Sequence, residues 1–191
     1  RQKRSIKVKK FFFFVILMCF SNKCDASVNT KIINKIINIK NFKFEFTQTI
    51  NGKDESGYCV IQFPKKIYCK YDLKFNKILV SNGNSLVIKS DKNNQYYRYS
   101  LESTPLNMLL DKNYIISKLK RLSLKNIDDR YYLLSIEENN KILNIFFEKS
   151  TLNIRGWQTE DMYQNLSVTY IFNLKTNTDV KQKIFQLPKL N

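Results

Sequence analysis

Residues 42–48 read Phe, Lys, Phe, Glu, Phe, Thr, Gln, and this strict alternation limits the possible folds more than any other feature of the chain. A period of two places the aromatic rings on one side of a strand and the polar side chains on the other. Asn51-Gly52 follows as a tight turn. Similar runs recur with turn residues between them: Gly57 to Phe63 and Lys66 to Asp72 around Pro64-Lys65, Lys77 to Ser81 and Ser85 to Lys89 around Asn82-Gly83, then Gln95 to Ser100. Tyr131 to Glu137, Lys141 to Glu148, Asn153 to Glu160 and Asn165 to Leu174 return to the same pattern. Strands in sequence order joined by tight turns make an antiparallel meander, and a long one curls on itself. The expected fold is mainly β with helices (α+β): a single curved antiparallel sheet forming an open half-barrel, with helices across its mouth.

Two stretches break the period. From Ser27 to Lys40, Val28, Ile32, Ile33, Ile36 and Ile37 recur at three- and four-residue spacing, which predicts an amphipathic helix capped by Ser27 or Asn29. Thr104-Pro105 predicts a helix start, with the hydroxyl capping free amides and proline at the first helical position. Leu106, Leu109 and Leu110 follow, and the helix is expected to continue through Ile115, Ile116 and Leu119, with Asn113 as a point of interruption.

The first 26 residues have a different layout. Six cations between Arg1 and Lys10 precede ten apolar residues, Phe11 to Phe20, and small residues at Cys24 and Ala26 follow. This predicts a secretory signal peptide over residues 1–26 and one domain over residues 27–191. The apolar run falls short of the roughly 20 residues that span a bilayer. Ser21, Asn22 and Lys23 before Cys24 do not suit a lipidation site. At 191 residues the chain is long enough for one full hydrophobic core.

Residues 27–191 hold 26 cations (33 − 7) and 15 anions (16 − 1), a net charge of +11. The lysines are scattered among Asn and Ile, without an Arg cluster or a stacking motif of the kind that binds single strands, so no nucleic-acid partner is expected. The absence of histidine excludes His-based triads, His general bases and His metal ligands. Four glycines, at 52, 57, 83 and 156, are too few and too dispersed for a dinucleotide or phosphate loop. The acid pairs Asp54-Glu55, Asp128-Asp129, Glu137-Glu138 and Glu160-Asp161 sit at expected turns and strand ends, where solvated surface is the simpler role. No catalytic residue, metal site or cofactor is expected.

What remains is apolar. With a hairpin centred on Pro64, Cys59, Ile61 and Phe63 share a face with Ile67, Cys69 and Tyr71, and Cys59 lies opposite Cys69. In an exported chain such a pair meets an oxidising compartment. By itself the aromatic stripe reads first as an ordinary sheet core, because aromatic stripes normally pack against something.

The order of several short motifs adds to this reading. FEFTQT at 44–49, Gly57, Pro64 followed by KIYCKY, LVSNGNSLVI at 79–88 and YRYSLESTPLNMLL at 97–110 occur in series. GWQTEDMYQNLSVTYIFNLKTN at 156–177 then leads to FQLP at 185–188. The series resembles the periplasmic outer-membrane lipoprotein carrier of the Lol system, the LolA-like family. The resemblance implies a helical lid over an apolar cavity that takes the acyl chains of lipoproteins. It further implies cargo released by an inner-membrane ABC-type complex, delivery to an outer-membrane lipoprotein receptor, a periplasmic location and a monomer. The expected cavity wall is Phe44, Phe46, Ile61, Phe63, Ile67, Tyr71, Val80 and Ile88, and the expected lid is Leu106, Leu109 and Leu110. Cys59 and Cys69 either staple the hairpin or line the cavity. The family usually carries an arginine before the hairpin proline that helps hold the lid closed. Here that residue is Phe63, so closure by apolar contact alone is expected. The competing expectation is a periplasmic lipid-binding sensor or regulatory domain on the same half-barrel.

Overall fold

The computed structural model describes residues 27–92, 94–160 and 165–189, so the expected signal segment 1–26 lies outside the described residues. Helix α1 (Val28–Ile36) begins where expected, with the Ser27 hydroxyl accepting from the Thr30 amide. Six strands follow: β1 (Asn41–Ile50), β2 (Lys53–Gln62), β3 (Lys66–Tyr71), β4 (Lys77–Asn82), β5 (Ser85–Ser90) and β6 (Gln95–Ser100). A 3₁₀ turn (Leu101–Ser103), α2 (Leu106–Leu109) and α3 (Lys112–Leu119) come next. The chain then returns to strands β7 (Lys125–Ile127), β8 (Tyr131–Glu138), β9 (Lys141–Glu148), β10 (Ile154–Glu160) and β11 (Leu166–Thr176), and to a second 3₁₀ turn (Gln182–Phe185).

The helix expected after Pro105, with Asn113 as its point of interruption, is two helices, broken just before that residue. The Thr104 hydroxyl donates to the Leu101 carbonyl instead of capping α2. The break falls at Asp111, whose carboxylate caps α3 by accepting from the Tyr114 amide at 3.0 Å. Asp at the cap satisfies a free helix-start amide, so a new helix begins there although the apolar spacing runs on.

All eleven strands form one antiparallel sheet in the order β6-β5-β4-β3-β2-β1-β11-β10-β9-β8-β7. The first and last strands are neighbours, with Thr47 opposite Tyr170. The two free edges, β6 and β7, therefore come from the middle of the chain. The connection between those edges is the segment carrying α2 and α3, so the half-barrel is bridged by its own crossover.

The pleat sorts the side chains. Phe42, Phe44 and Phe46 of β1, Cys59 and Ile61 of β2 and Ile67, Cys69 and Tyr71 of β3 lie on the concave side and are buried in one core. Gly57 sits between Phe46 and Tyr71 in that row, and the two rings meet edge to face with centroids 5.1 Å apart. A Cβ at Gly57 would come within 2.3 Å of the Lys70 carbonyl oxygen, so this crossing of strands requires glycine.

The convex side has a smaller core. Val60, Val80 and Val87 are buried there, and the 3₁₀ turn that carries the buried Phe185 packs over β3 and β4. Polar contacts hold this C-terminal strap: Gln182 Nε2 donates to Gln62 Oε1 at 2.9 Å, and the Tyr96 hydroxyl donates to the Pro188 carbonyl at 3.1 Å.

Candidate functional site

Of the expected wall residues, Phe44, Phe46, Ile61, Ile67 and Tyr71 are buried on the concave face. Phe63, just beyond β2, is half-buried against the same core and meets the Phe42 ring edge-on at 5.6 Å. Ile88 pairs with Leu79 on that face and lines a cleft near the β3–β4 turn. Val80 is a correction. Cys69 stands opposite Leu79 and Tyr68 opposite Val80, so the period of two turns Leu79 and Ser81 inward and Val80 outward, under the C-terminal strap. Cys59 and Cys69 are joined by a disulfide across the β2–β3 hairpin, and both are buried on the concave side.

Half of the concave wall was not anticipated. Leu134 and Ile136 of β8, Leu143, Ile145 and Phe147 of β9, Trp157 of β10 and Ile171 of β11 are buried in the same core as β1–β3. Phe44 and Trp157, from opposite halves of the sheet, meet edge to face at 5.8 Å. The signal was present as alternation in LNIFFE and LLSI, but only the β1–β11 pairing brings these strands to the same concavity.

The lid has two parts. Helices α1 and α3 are laced at both ends. Asn29 Nδ2 donates to the Leu119 and Leu122 carbonyls at 2.6 and 2.9 Å, and Lys112 Nζ donates to the Ile37 and Ile39 carbonyls at 2.7 and 2.8 Å. These bonds satisfy carbonyls that a helix end leaves free. They also point the buried Ile32, Ile115 and Leu119 at the sheet. The second part is α2 with its flanks, which buries Met108, Leu109 and Leu110, while Leu106 packs at the margin.

Closure by apolar contact alone is corrected by Lys65. This residue follows the hairpin proline and has a φ of 68°. Its amide donates to the Leu110 carbonyl at 2.8 Å. Its ammonium donates to the Asn107 carbonyl at 2.9 Å and Oδ1 at 2.8 Å, and pairs with Asp111 at 3.2 Å. The β2–β3 hairpin thus grips α2 through its backbone as well as its side chains. A flexible lysine stem suits this reach across the hairpin tip.

A second polar contact ties α3 to the sheet. The Tyr114 hydroxyl donates to Glu138 Oε2 at 2.5 Å and Lys118 Nζ to the same oxygen at 2.9 Å. First the Tyr114 bond and then Lys118 hold the Glu138 carboxyl below its ordinary value of 4.5. At the far end of the concave face the apolar wall gives way to a polar row. The Tyr71 hydroxyl donates to Gln48 Oε1 at 3.0 Å, and Gln48 Nε2 donates to Ser167 Oγ at 2.8 Å and Thr169 Oγ1 at 3.0 Å. Burial, and then the charge of Glu55, push the Tyr71 phenol up, so it stays a neutral donor.

Between sheet and lid, a cavity of about 20 Å³ lies among Phe42, Phe63, Ile115 and Phe147. Such a space holds about one water molecule. That space is too small for an acyl chain. Among the described residues, no group of three or more His, Cys, Asp or Glu is placed to hold a metal, and no helix is long and apolar enough to cross a membrane.

The family model described as outer membrane lipoprotein carrier protein LolA matches residues 37–188, well over half of the chain. The chain belongs to the LolA family. Family members are carrier or binding proteins rather than enzymes, and the family's homologues are periplasmic. The chain is also similar in structure to the putative outer membrane lipoprotein-sorting protein domain from Vibrio parahaemolyticus, with 6% identity, coverage of 83% of this chain and 94% of that one, and a TM-score of 0.49. The LolA superfamily protein NE2245 from Nitrosomonas europaea is 14% identical over 83% of this chain and 97% of that one, with a TM-score of 0.45. The Pseudomonas aeruginosa MucA/MucB complex is 10% identical over 84% of this chain and 61% of that one, with a TM-score of 0.34. No curated protein matches the chain.

Proposed function

We propose that the protein is a periplasmic carrier that shelters the acyl chains of lipoproteins released from the inner membrane and hands them to the outer membrane. On this reading residues 1–26 are a cleaved signal peptide. The partners are acylated lipoproteins, an inner-membrane ABC-type releasing complex and an outer-membrane receptor, and the carrier acts as a monomer without catalysis. The observation that carries it is a continuous apolar concave face closed by a lid with polar fastenings at its margins.

The energies are of the right size for displacement. Exposing Met108, Leu109 and Leu110 costs about 1.5–3 kcal/mol each, or roughly 5–9 kcal/mol together, while a buried methylene gains about 0.8 kcal/mol. A chain of about 16 carbons therefore gains roughly 12 kcal/mol, more than the lid gives up.

Native mass spectrometry of residues 27–191, purified from a periplasm containing triacylated lipoproteins, tests the proposal. A stoichiometric lipoprotein adduct, lost in Leu109→Glu and weakened in the milder Leu109→Ala, supports the carrier. Both variants are first checked for folding by circular dichroism. Free phospholipid in place of lipoprotein would favour a lipid-sensing regulatory domain, and an empty, closed core would reduce the stripe to packing.

A further inference from the structure

Strands β1–β6 have two ends. The hairpin that carries Lys65 lies at one, and the β1–β2, β3–β4 and β5–β6 turns lie at the other. In the β3–β4 turn, Leu73 is 87% exposed, the most exposed large apolar side chain among the described residues. Its projection is built into the turn. The Asp72 amide donates to the Ser56 carbonyl at 2.9 Å, and the Phe75 and Asn76 amides donate to the Asp72 carbonyl at 2.8 and 3.2 Å. From the neighbouring turn, the Asp91 amide donates to the Asn76 carbonyl at 3.1 Å and Lys92 Nζ to the Lys74 carbonyl at 3.3 Å. A leucine with no apolar neighbour to bury it, held outward by a hydrogen-bonded frame, needs an explanation that a slack loop would not.

The surroundings supply one. The Lys74 ammonium lies 4.6 Å over the Phe75 ring, and Lys92 stands beside it. The carboxylates at this end are held in place, Asp54 by the Thr49 hydroxyl, Asp72 by the Ser56 hydroxyl, Glu55 by Lys77 and Asp91 by Lys89, and the lysines (Lys53, Lys74, Lys77, Lys89 and Lys92) outnumber these four acids by one. A cleft of about 370 Å³ lined by Phe75, Ile88 and Tyr97 runs from the turn to edge strand β6. There Tyr97 and Tyr99 stack at 6.5 Å, each 44% exposed. An apolar tip flanked by lysines and bordered by tyrosines matches the layers of a bilayer surface: hydrocarbon, phosphate, and the interface between them.

We propose that this end is a membrane-docking surface, in which Leu73 enters an anionic lipid bilayer while Lys74 and Lys92 remain at the phosphate level. The net charge of residues 27–191, +11 (26 − 15), favours approach to such a surface. One leucine and two cations give weak, reversible attachment, and contact at this end leaves the lid free. The inference rests on this surface alone and does not depend on which lipid the concave face receives.

The test is flotation of residues 27–191, which contain every described element, with vesicles of phosphatidylethanolamine and phosphatidylglycerol and with vesicles of phosphatidylcholine alone. The expected result is binding to the anionic vesicles that falls about tenfold in Leu73→Glu and in Lys74→Glu/Lys92→Glu and persists in Leu73→Phe. Melting temperature should be unchanged in Leu73→Glu, whose parent side chain faces solvent. Leu73→Trp should show a blue-shifted emission on adding anionic vesicles, against the constant background of the buried Trp157. Equal binding by Leu73→Glu, equal binding to neutral vesicles, no binding by the unsubstituted chain, or no shift in Leu73→Trp would each overturn it. Loss of capture of a protein partner in Leu73→Glu with vesicle binding intact would also overturn it, by making the turn a protein contact.

Discussion

At the scale of single residues, Lys65 does what the residue before the hairpin proline cannot. Phe63 contributes an edge-on ring contact, whereas Lys65 reaches both the backbone and the side chains of the lid. Lys65→Met removes the charged contacts, worth about 1–3 kcal/mol in all. Amide exchange should quicken across 106–119 with little change in β1–β3. Lys65→Gly should open the lid equally, yet cost less global stability, because a non-glycine residue at positive φ carries a strain of about 1–3 kcal/mol that glycine removes. The Cys59–Cys69 bridge belongs to the same scale. Replacing both cysteines with serine should cost about 2–3 kcal/mol by urea unfolding, the loop-closure expectation for a span of this size. The disulfide was legible as a facing pair, because period and turn position sufficed. Its formation in place of two cavity-lining thiols was not legible.

At the scale of elements, the fastening between α3 and the β8–β9 turn predicts a response to acid. Glu138 titrates below its ordinary value of 4.5 in the folded protein, so its stabilising effect is complete above that value and disappears as pH falls through the folded one. Exchange of the α3 amides, corrected for intrinsic rates, should therefore rise as the pH falls below 4.5. In Glu138→Gln that rise should vanish, with α3 opening already faster at neutral pH. The sequence announced a helix here and an interruption in it, but placed the break at Asn113 and not at Asp111. Apolar spacing continues across Asp111, and the decisive contact is a cap whose competition with helix continuation depends on where α2 is gripped from outside. The strands were easier, since each is a local period bounded by local turn chemistry. Only the three-residue β7 escaped, too short to display a period.

At the scale of the whole molecule, the sheet has a core on each side, and only one of them faces the lid. Phe185→Ala should destabilise the fold by about 3–5 kcal/mol, as other buried aromatic truncations do, measured by thermal unfolding. It should leave the apolar concave face unchanged, because the strap lies on the opposite side. Val80 shows how a residue can be correctly read as buried and assigned to the wrong core: its strand was evident, but which face turned inward depended on its register with β3. The sequence by itself determined the antiparallel strands, their turns, the aromatic concave stripe of β1–β3 and the amphipathic opening helix. Each of these is written within a few consecutive residues by side-chain period and turn propensity. Only the tertiary structure decided that β1 lies beside β11, that β8–β11 complete the concave wall, that Lys65 grips the lid and that the C-terminal strap covers Val80. Those contacts join segments tens to more than a hundred residues apart, as in Thr47 opposite Tyr170. They are selected by the mutual fit of surfaces, which no local pattern encodes.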